Sequence, residues 1–310
     1  MPEPKAAGRF LGIDTSNYTT SAAITEDGRV VSSLKLPLPV KDGERGLRQS
    51  DAVFAHVKNL PQLLEQIEGP FDAVGFSAYP RDCEGSYMPC FLCGEAAATA
   101  AARAAGIPLY RFSHQAGHIR AAVYSSGNPA LIGGEFLAFH VSGGTTELLH
   151  VKAGQITLLG GTLDLNAGQV IDRSGVRMGL RFPCGRALEE LAQDGKAPMK
   201  PQISVKGLGC NLSGLENKVN GLLASGTAHA DIAAYIFDFV GMTLERLTVN
   251  ALEAYPGLPV LYAGGVMSNR LIRRRLSACC EAYFAEPAFS SDNAAGIALL
   301  TAEAHCRQRG

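Results

Sequence analysis

A chain of 310 residues, 46% hydrophobic and 18% charged, has material for one large or two ordinary domains and a substantial core. Its formal net charge of -1 gives no global attraction to nucleic acid, so any role on RNA has to rest on a local patch. The start, Met1-Pro2-Glu3-Pro4-Lys5, lacks the apolar core of a secretory signal and no run reaches membrane-span length; cytoplasmic residence with no membrane partner is expected.

The first predicted strand covers residues 9–13 and ends at Asp14. A polar turn over 15–20 leads to a strand at 21–24, an Asp27-Gly28 hairpin and a third strand at 29–31. Helical spacing runs over 51–67, followed by a strand at 71–76 and an alanine-rich helix at 94–105. A strand at 107–110 then enters a segment whose histidines stand out. In His114-Gln115-Ala116-Gly117-His118 the imidazoles are four apart, so a helix over 113–123 puts them on one face. Such a pair can grip one metal ion, with a carboxylate from elsewhere closing the site. Histidines four apart also occur on solvated helix faces, and the pair alone leaves both readings open.

Residues 125–134, rich in Gly, Ser, Asn and Pro, read as a linker. After it the opening pattern returns: strands at 136–141, 147–151 and 156–159, with Ser142-Gly143-Gly144-Thr145-Thr146 after the first of them. This repeat is one of architecture rather than of sequence, and it predicts two similar α/β lobes with a cleft between them. A strand at 259–262 ends in Ala263-Gly264-Gly265, a helix follows at 269–276, and a last helix at 294–307 is expected to pack back on the first lobe.

Three turns at strand ends share one chemistry: Asp14-Thr15-Ser16, Ser142 to Thr146, and Gly264-Gly265-Val266. Glycine and small hydroxyl residues let backbone N–H groups approach phosphate or carboxylate oxygens. A lone Gly-Gly is an ordinary tight turn, but three at strand ends in two repeated lobes favour a nucleotide cleft. Neither a P-loop nor a dinucleotide fingerprint is present where a strand would need it. The eight cysteines read as reduced thiols. Cys83, Cys90 and Cys93 suit buried small hydrophobes better than a metal, cluster or redox site, because no second Cys-x-x-Cys pair follows. Cys279-Cys280 reads as packing.

Ordered segments along nearly the whole chain resemble the tRNA N6-adenosine threonylcarbamoyltransferase family, TsaD, once called glycoprotease or O-sialoglycoprotein endopeptidase. They are Leu11-Gly-Ile-Asp-Thr-Ser16, His114-Gln-Ala-Gly-His118, His140-Val-Ser-Gly-Gly-Thr-Thr-Glu147, Thr162-Leu-Asp-Leu-Asn-Ala-Gly-Gln-Val-Ile-Asp172, Gly179-Leu-Arg-Phe-Pro-Cys-Gly185, Leu212-Ser-Gly-Leu215, Ala263-Gly-Gly-Val-Met-Ser-Asn269 and Ser291-Asp-Asn-Ala-Ala295. The resemblance implies a two-lobed actin-like α/β fold, shared with sugar kinases and heat-shock proteins, in which ribonuclease H-like lobes are duplicated around an interlobe cleft. Residues 1–128, with a C-terminal helix at about 294–310, would form the first lobe, and 129–293 the second with a helical insertion.

Carried over residue by residue, the resemblance makes His114, His118 and Asp292 the catalytic metal ligands, for one divalent ion, iron or zinc. His140, Val141, Ser142, Gly143, Gly144, Asp172, Gly185 and Asn269 would hold the ATP-derived adenylate, with Asp14, Thr15 and Ser16 as first-loop candidates. The implied reaction moves a threonylcarbamoyl group from threonylcarbamoyl-adenylate to N6 of adenosine 37 in tRNA. Amides at Ser142-Gly143-Gly144 would stabilise the phosphate leaving group, and Asp172 would fix a ribose or substrate hydroxyl unless it serves as a helix cap. TsaB-like and TsaE-like partner proteins are implied as well. Two alternatives remain: a paralogue with another carbamoyl acceptor or ATPase activity, and a non-catalytic nucleotide-binding subunit of a tRNA-modifying complex. Proteolysis is not expected, since Gln115 stands where a metalloprotease helix needs glutamate.

The departures point to a divergent paralogue. The opening loop reads Asp14-Thr-Ser-Asn-Tyr-Thr-Thr20 and loses two carboxylates of the family pattern; Thr145 replaces a histidine; residues 80–89 replace a Pro-Gly-Leu segment. Cys184 replaces a glycine, where a side chain is expected to obstruct close backbone approach. His56 reads as a surface or packing residue, and His140 and His150 also admit a structural reading. Arg270, Arg273, Arg274 and Arg275 read as tRNA contacts or as a solvated helix face.

Overall fold

The computed structural model describes residues 7–16, 18–39, 47–290 and 294–309. Two compact units emerge, Met1–Tyr124 with Ser291–Gly310, and Ser125–Ser290.

In the first unit, β1 (Arg9–Asp14), β2 (Thr19–Glu26) and β3 (Arg29–Pro37) form an antiparallel meander. The Asp27-Gly28 turn closes its second hairpin with both residues at positive φ, 48° and 76°, the backbone that lets the strands keep their twist. Helix α1 (Gln49–Leu64) leads to β4 (Ala73–Tyr79), α2 (Phe91–Ala105) to β5 (Leu109–Ser113), and α3 (His114–Ser125) follows at once. β4 runs parallel to β1, and β5 parallel to β4, giving the order β3-β2-β1-β4-β5. From Phe10 to Asp14 every residue of β1 is buried, as expected of a strand covered on both faces.

The second unit repeats the plan. β6 (Glu135–Val141), β7 (Thr146–Lys152) and β8 (Gln155–Thr162) form a meander. Then come α4 (Ala167–Arg177), α5 (Gly185–Ala192), β9 (Ser204–Lys206), β10 (Gly209–Asn211), α6 (Gly214–Ala224) and α7 (His229–Ala254). β11 (Val260–Ala263), α8 (Arg270–Ser277), β12 (Ala282–Phe284) and the short α9 (Pro287–Ser290) complete it. The sheet order is β12-β11-β6-β7-β8-β10-β9. Its first five strands, taken as β8-β7-β6-β11-β12, match the first unit's order strand for strand, so the duplication read from the sequence pattern is a duplication of topology.

The core of this unit gathers on α7, 26 residues and roughly 39 Å long. Val240, Leu244, Leu247 and Ala251 recur on its buried face, and Thr243 and Thr248 satisfy their hydroxyls on carbonyls four residues back. Tyr262 of β11 stacks between Phe139 and Phe284 at 5.2 and 5.0 Å and shares a 2.7 Å hydrogen bond with Thr248. The chain ends in α10 (Ala295–Arg309), which packs on β1, β2 and β4 of the first unit. Among the described residues no helix is long and apolar enough to cross a membrane.

Candidate functional site

In the first unit, β5 runs straight into α3, whose first residue is His114. Ser113 Oγ accepts from Ala116 N at 3.1 Å, capping the helix, and donates to Asp82 Oδ2 at 2.7 Å. Pro80 O accepts from Gln115 N at 3.0 Å. Residues 80–89 are thereby fastened to the helix that carries the histidines.

His114 and His118 are both buried, with ring centroids 4.2 Å apart in a T-shaped arrangement. His114 donates from Nδ1 to Asp14 Oδ2 at 2.8 Å, and Asp14 Oδ1 accepts from Ser16 N at 2.8 Å. Asp14 itself is 1% exposed, so this carboxylate fixes the imidazole from within the fold. A carboxylate on Nδ1 directs Nε2 outward for ligation, the usual support of a metal-bound histidine. The donor chemistry therefore suits a divalent ion. Among the described residues no third His, Cys, Asp or Glu joins the pair, and Asp292 lies outside the described residues.

The first-loop candidates divide. Thr15 is structural: its Oγ1 donates to Cys90 O and accepts from Gly94 N, fastening the loop to α2. Ser16 Oγ is buried without a hydrogen-bond partner among the described residues. His56 is fully buried, so its place is in the packing and not on the surface. It shares a 2.9 Å hydrogen bond with Thr20, and burial pulls its pKa down to about 4.

In the second unit the turn after β6 is clamped against α4. Gly168 N donates to Ser142 O at 3.1 Å and Ala167 N to Thr146 Oγ1 at 2.8 Å. A Cβ on Gly168 would stand 2.7 Å from Gly143 Cα, and one on Gly264, held at φ +97°, would overlap the Val141 carbonyl. Glycine is required at both places by close backbone approach. The outer side is open, since a Cβ on Gly143, Gly144, Gly185 or Gly265 would meet nothing within 4 Å. Of the three amides expected to face a leaving group, two are engaged: Ser142 N with Thr145 O and Gly144 N with Ser142 Oγ. Gly143 N has no partner among the described residues. Val141 is a fully buried core side chain, so it contributes backbone alone; His140 is also buried.

Asp172 Oδ1 accepts from Cys184 N at 2.7 Å at the start of α5, and burial raises its carboxyl above the ordinary range. This is the capping reading; Oδ2 has no partner among the described residues. Cys184 corrects an expectation. Its side chain is fully buried and faces α4, where Gly175 makes room: a Cβ there would overlap the Cys184 Cβ. Burial pushes the thiol up to about 11. The side chain thus leaves the open side of the loop unfilled.

Asn269 caps α8, its Oδ1 accepting from Ile272 N at 3.0 Å. Its Nδ2 is buried and unpartnered among the described residues, with the side chain in a residue 7% exposed. An orphaned buried donor costs about 1–3 kcal/mol, which a bound acceptor would recover. The arginine run proves mixed. Arg273 donates to the carbonyls of Met267 and Ala285 and lies over Phe284 at 5.0 Å, while Arg275 pairs with Asp238 and Glu245.

The sequence named Asp14 only as a first-loop candidate and gave Asp164 no role. Asp14 supports His114 from 100 positions away, beyond any local spacing rule. Asp164 accepts from Leu165 N, Leu212 N and Ser213 N. Burial opposes its ionisation, but these hydrogen bonds outweigh it and hold the carboxyl well below the usual range.

Paired sheets of one strand order, each with a turn at the end of its first strand, define an actin-like α/β protein. The activator of 2-hydroxyisocaproyl-CoA dehydratase from Clostridium difficile superposes with TM-score 0.56 at 14% identity, covering 97% of each chain. HypF of T. kodakarensis does so with TM-score 0.61 at 12% identity, over 96% of this chain and 49% of that one. Residues 71–299 match the family described as TsaD, tRNA N6-adenosine threonylcarbamoyltransferase. The enzyme of that name from Aromatoleum aromaticum is 30% identical over 97% of this chain and 93% of its own. The chain belongs to this family of acyltransferases.

Proposed function

We propose that this chain transfers a threonylcarbamoyl group from threonylcarbamoyl-adenylate to N6 of adenosine 37 in tRNA. Family membership supports the reaction class. The observation that carries the site reading is the buried Asp14–His114 pair beside His118, a histidine set oriented from behind as metal ligands are. His114, His118 and Asp292 would hold one divalent ion, iron or zinc, which when bound polarises the carbamoyl group.

The protein's own groups do the rest. Gly143 N donates to the phosphate of the adenylate, where charge grows as AMP leaves. Asn269 Nδ2 finds its acceptor on the same nucleotide, and Asp172 Oδ2 accepts from a ribose hydroxyl. The adenine N6 attacks the carbamoyl carbon, the bond to the phosphate oxygen breaks, N6 gives up a proton, and AMP departs. TsaB-like and TsaE-like proteins would be the partners.

A second reading, transfer to another acceptor, is favoured by one observation: the segment at residues 80–89 is tied through Pro80 and Asp82 to α3, which carries His114 and His118. Incubation with tRNA and threonylcarbamoyl-adenylate, followed by mass spectrometry of the digested nucleosides, decides. Threonylcarbamoyl-adenosine is expected; its absence, with metal and AMP still bound, would favour the second reading.

A further inference from the structure

We propose that a cationic groove on the second unit binds the phosphodiester backbone of a tRNA stem. The inference rests on the function proposed above and adds where the substrate is gripped. Two hollows of about 670 and 730 Å³ share Lys196, Ala197, Asp238, Glu245 and Arg275, and so form one groove between the segment after α5, α7 and α8.

Its cations are Lys196, Lys200, Arg246, Arg274 and Arg275, against the two acids Asp238 and Glu245. Arg275 bridges both acids at 2.9 Å and uses its charge within the wall. Lys196, Lys200, Arg246 and Arg274 make no ion pair among the described residues. The groove therefore carries a surplus of three positive charges on a chain whose net charge is -1. A solvated helix face does not account for them, because they converge on one concavity from three separate elements.

The lining also says which part of an RNA fits. Its only aromatic ring, Phe237, is 3% exposed, so no aromatic platform awaits an unstacked base. Charge without base-reading groups suits a backbone, where Lys and Arg neutralise phosphates irrespective of sequence. α5 begins at Gly185 and α8 is capped by Asn269, both residues expected to hold the adenylate, while the groove lies at the C-terminal end of α5 and along α8 as far as Ala278. Eight residues of helix span about 12 Å. A base presented at the N-terminal ends would carry its stem toward the groove.

The test compares wild type with the combined variant Lys196→Gln, Lys200→Gln, Arg246→Gln, Arg274→Gln. Fluorescence anisotropy of labelled tRNA is followed between 50 and 200 mM KCl, and AMP binding by calorimetry. The variant should bind tRNA at least tenfold more weakly at 100 mM KCl, with a log–log salt slope shallower by roughly 3, while AMP binding stays unchanged. A control, Lys206→Gln with Lys218→Gln, should keep the wild-type slope. An unchanged slope in the groove variant overturns the proposal. So does loss of poly-glutamate binding with tRNA binding intact, which would make the groove a protein-docking surface. Wild type that binds AMP but no tRNA refutes the function reading itself, a result distinct from failure of the groove.

Discussion

The two units build their candidate sites by opposite means. In the first, a buried carboxylate fixes an imidazole: side chain holds side chain, from Asp14 to His114. In the second, a turn is fixed by backbone alone, with Gly168 and Gly264 pressed against Gly143 and Val141. A side-chain site loses chemistry on substitution while the fold persists. A backbone-held loop loses the fold around it when a single methyl is added.

The largest effect should follow from Gly264→Ala. The new Cβ would overlap the Val141 carbonyl at a φ of +97°, where a side chain is strained. A loss above about 3 kcal/mol and a Tm fall of roughly 10 °C are expected. Gly143→Ala, pointing into open space, should change Tm by less than about 2 °C. Equal Tm losses in the two variants would show that the turn is not held by backbone approach.

His56 and His305 are the first unit's buried histidines outside the site, and the effect of His56 is on stability. Its folded pKa is lowered to about 4 from 6.5, so between these values the unfolded chain binds the proton and the folded one does not. Stability is full above pH 6.5 and falls as the pH drops toward 4, by about 3 kcal/mol. His56→Gln should flatten that part of the profile in urea unfolding. An unchanged slope from pH 4 to 6.5 would place the pH sensitivity elsewhere.

Asp14→Asn tests the side-chain site directly. The amide keeps the size but removes the charged acceptor behind His114, and supports of this kind contribute roughly 10–100-fold to metal affinity. Titration with zinc or ferrous ion should show a loss in that range, with Tm changed little. Identical affinity would dismiss Asp14 as the support of the ligand.

The same contrast explains what could be read from sequence. Strands of both meanders and the helix of His114 follow from local periodicity and turn residues, and their recurrence at 9–31 and 136–159 disclosed the duplication. The stretch from α4 to α7 was legible only as a helical insertion. Its long α7 is hydrophobic through burial in one unit's core, not through a pattern that stands apart. Pairings across many residues were hidden, as with Asp14 and His114. The direction of a side chain was hidden too: Cys184, expected to obstruct the loop, turns inward because Gly175, nine positions earlier, leaves the room.

The smallest effect concerns what sets the ring of His114, its carboxylate or the start of its helix. Ser113 caps α3 and donates to Asp82, so Ser113→Ala removes the cap and costs about 1 kcal/mol. Asp82→Asn retains an acceptor oxygen for the serine hydroxyl and should cost less than about 0.5 kcal/mol. Neither should alter metal affinity by more than threefold, because Asp14 still grips Nδ1. If Ser113→Ala weakened metal binding as far as Asp14→Asn does, the helix start would be the element that aims the imidazole. Residues 80–89, fastened to that start through Asp82, would then act on the ligand itself.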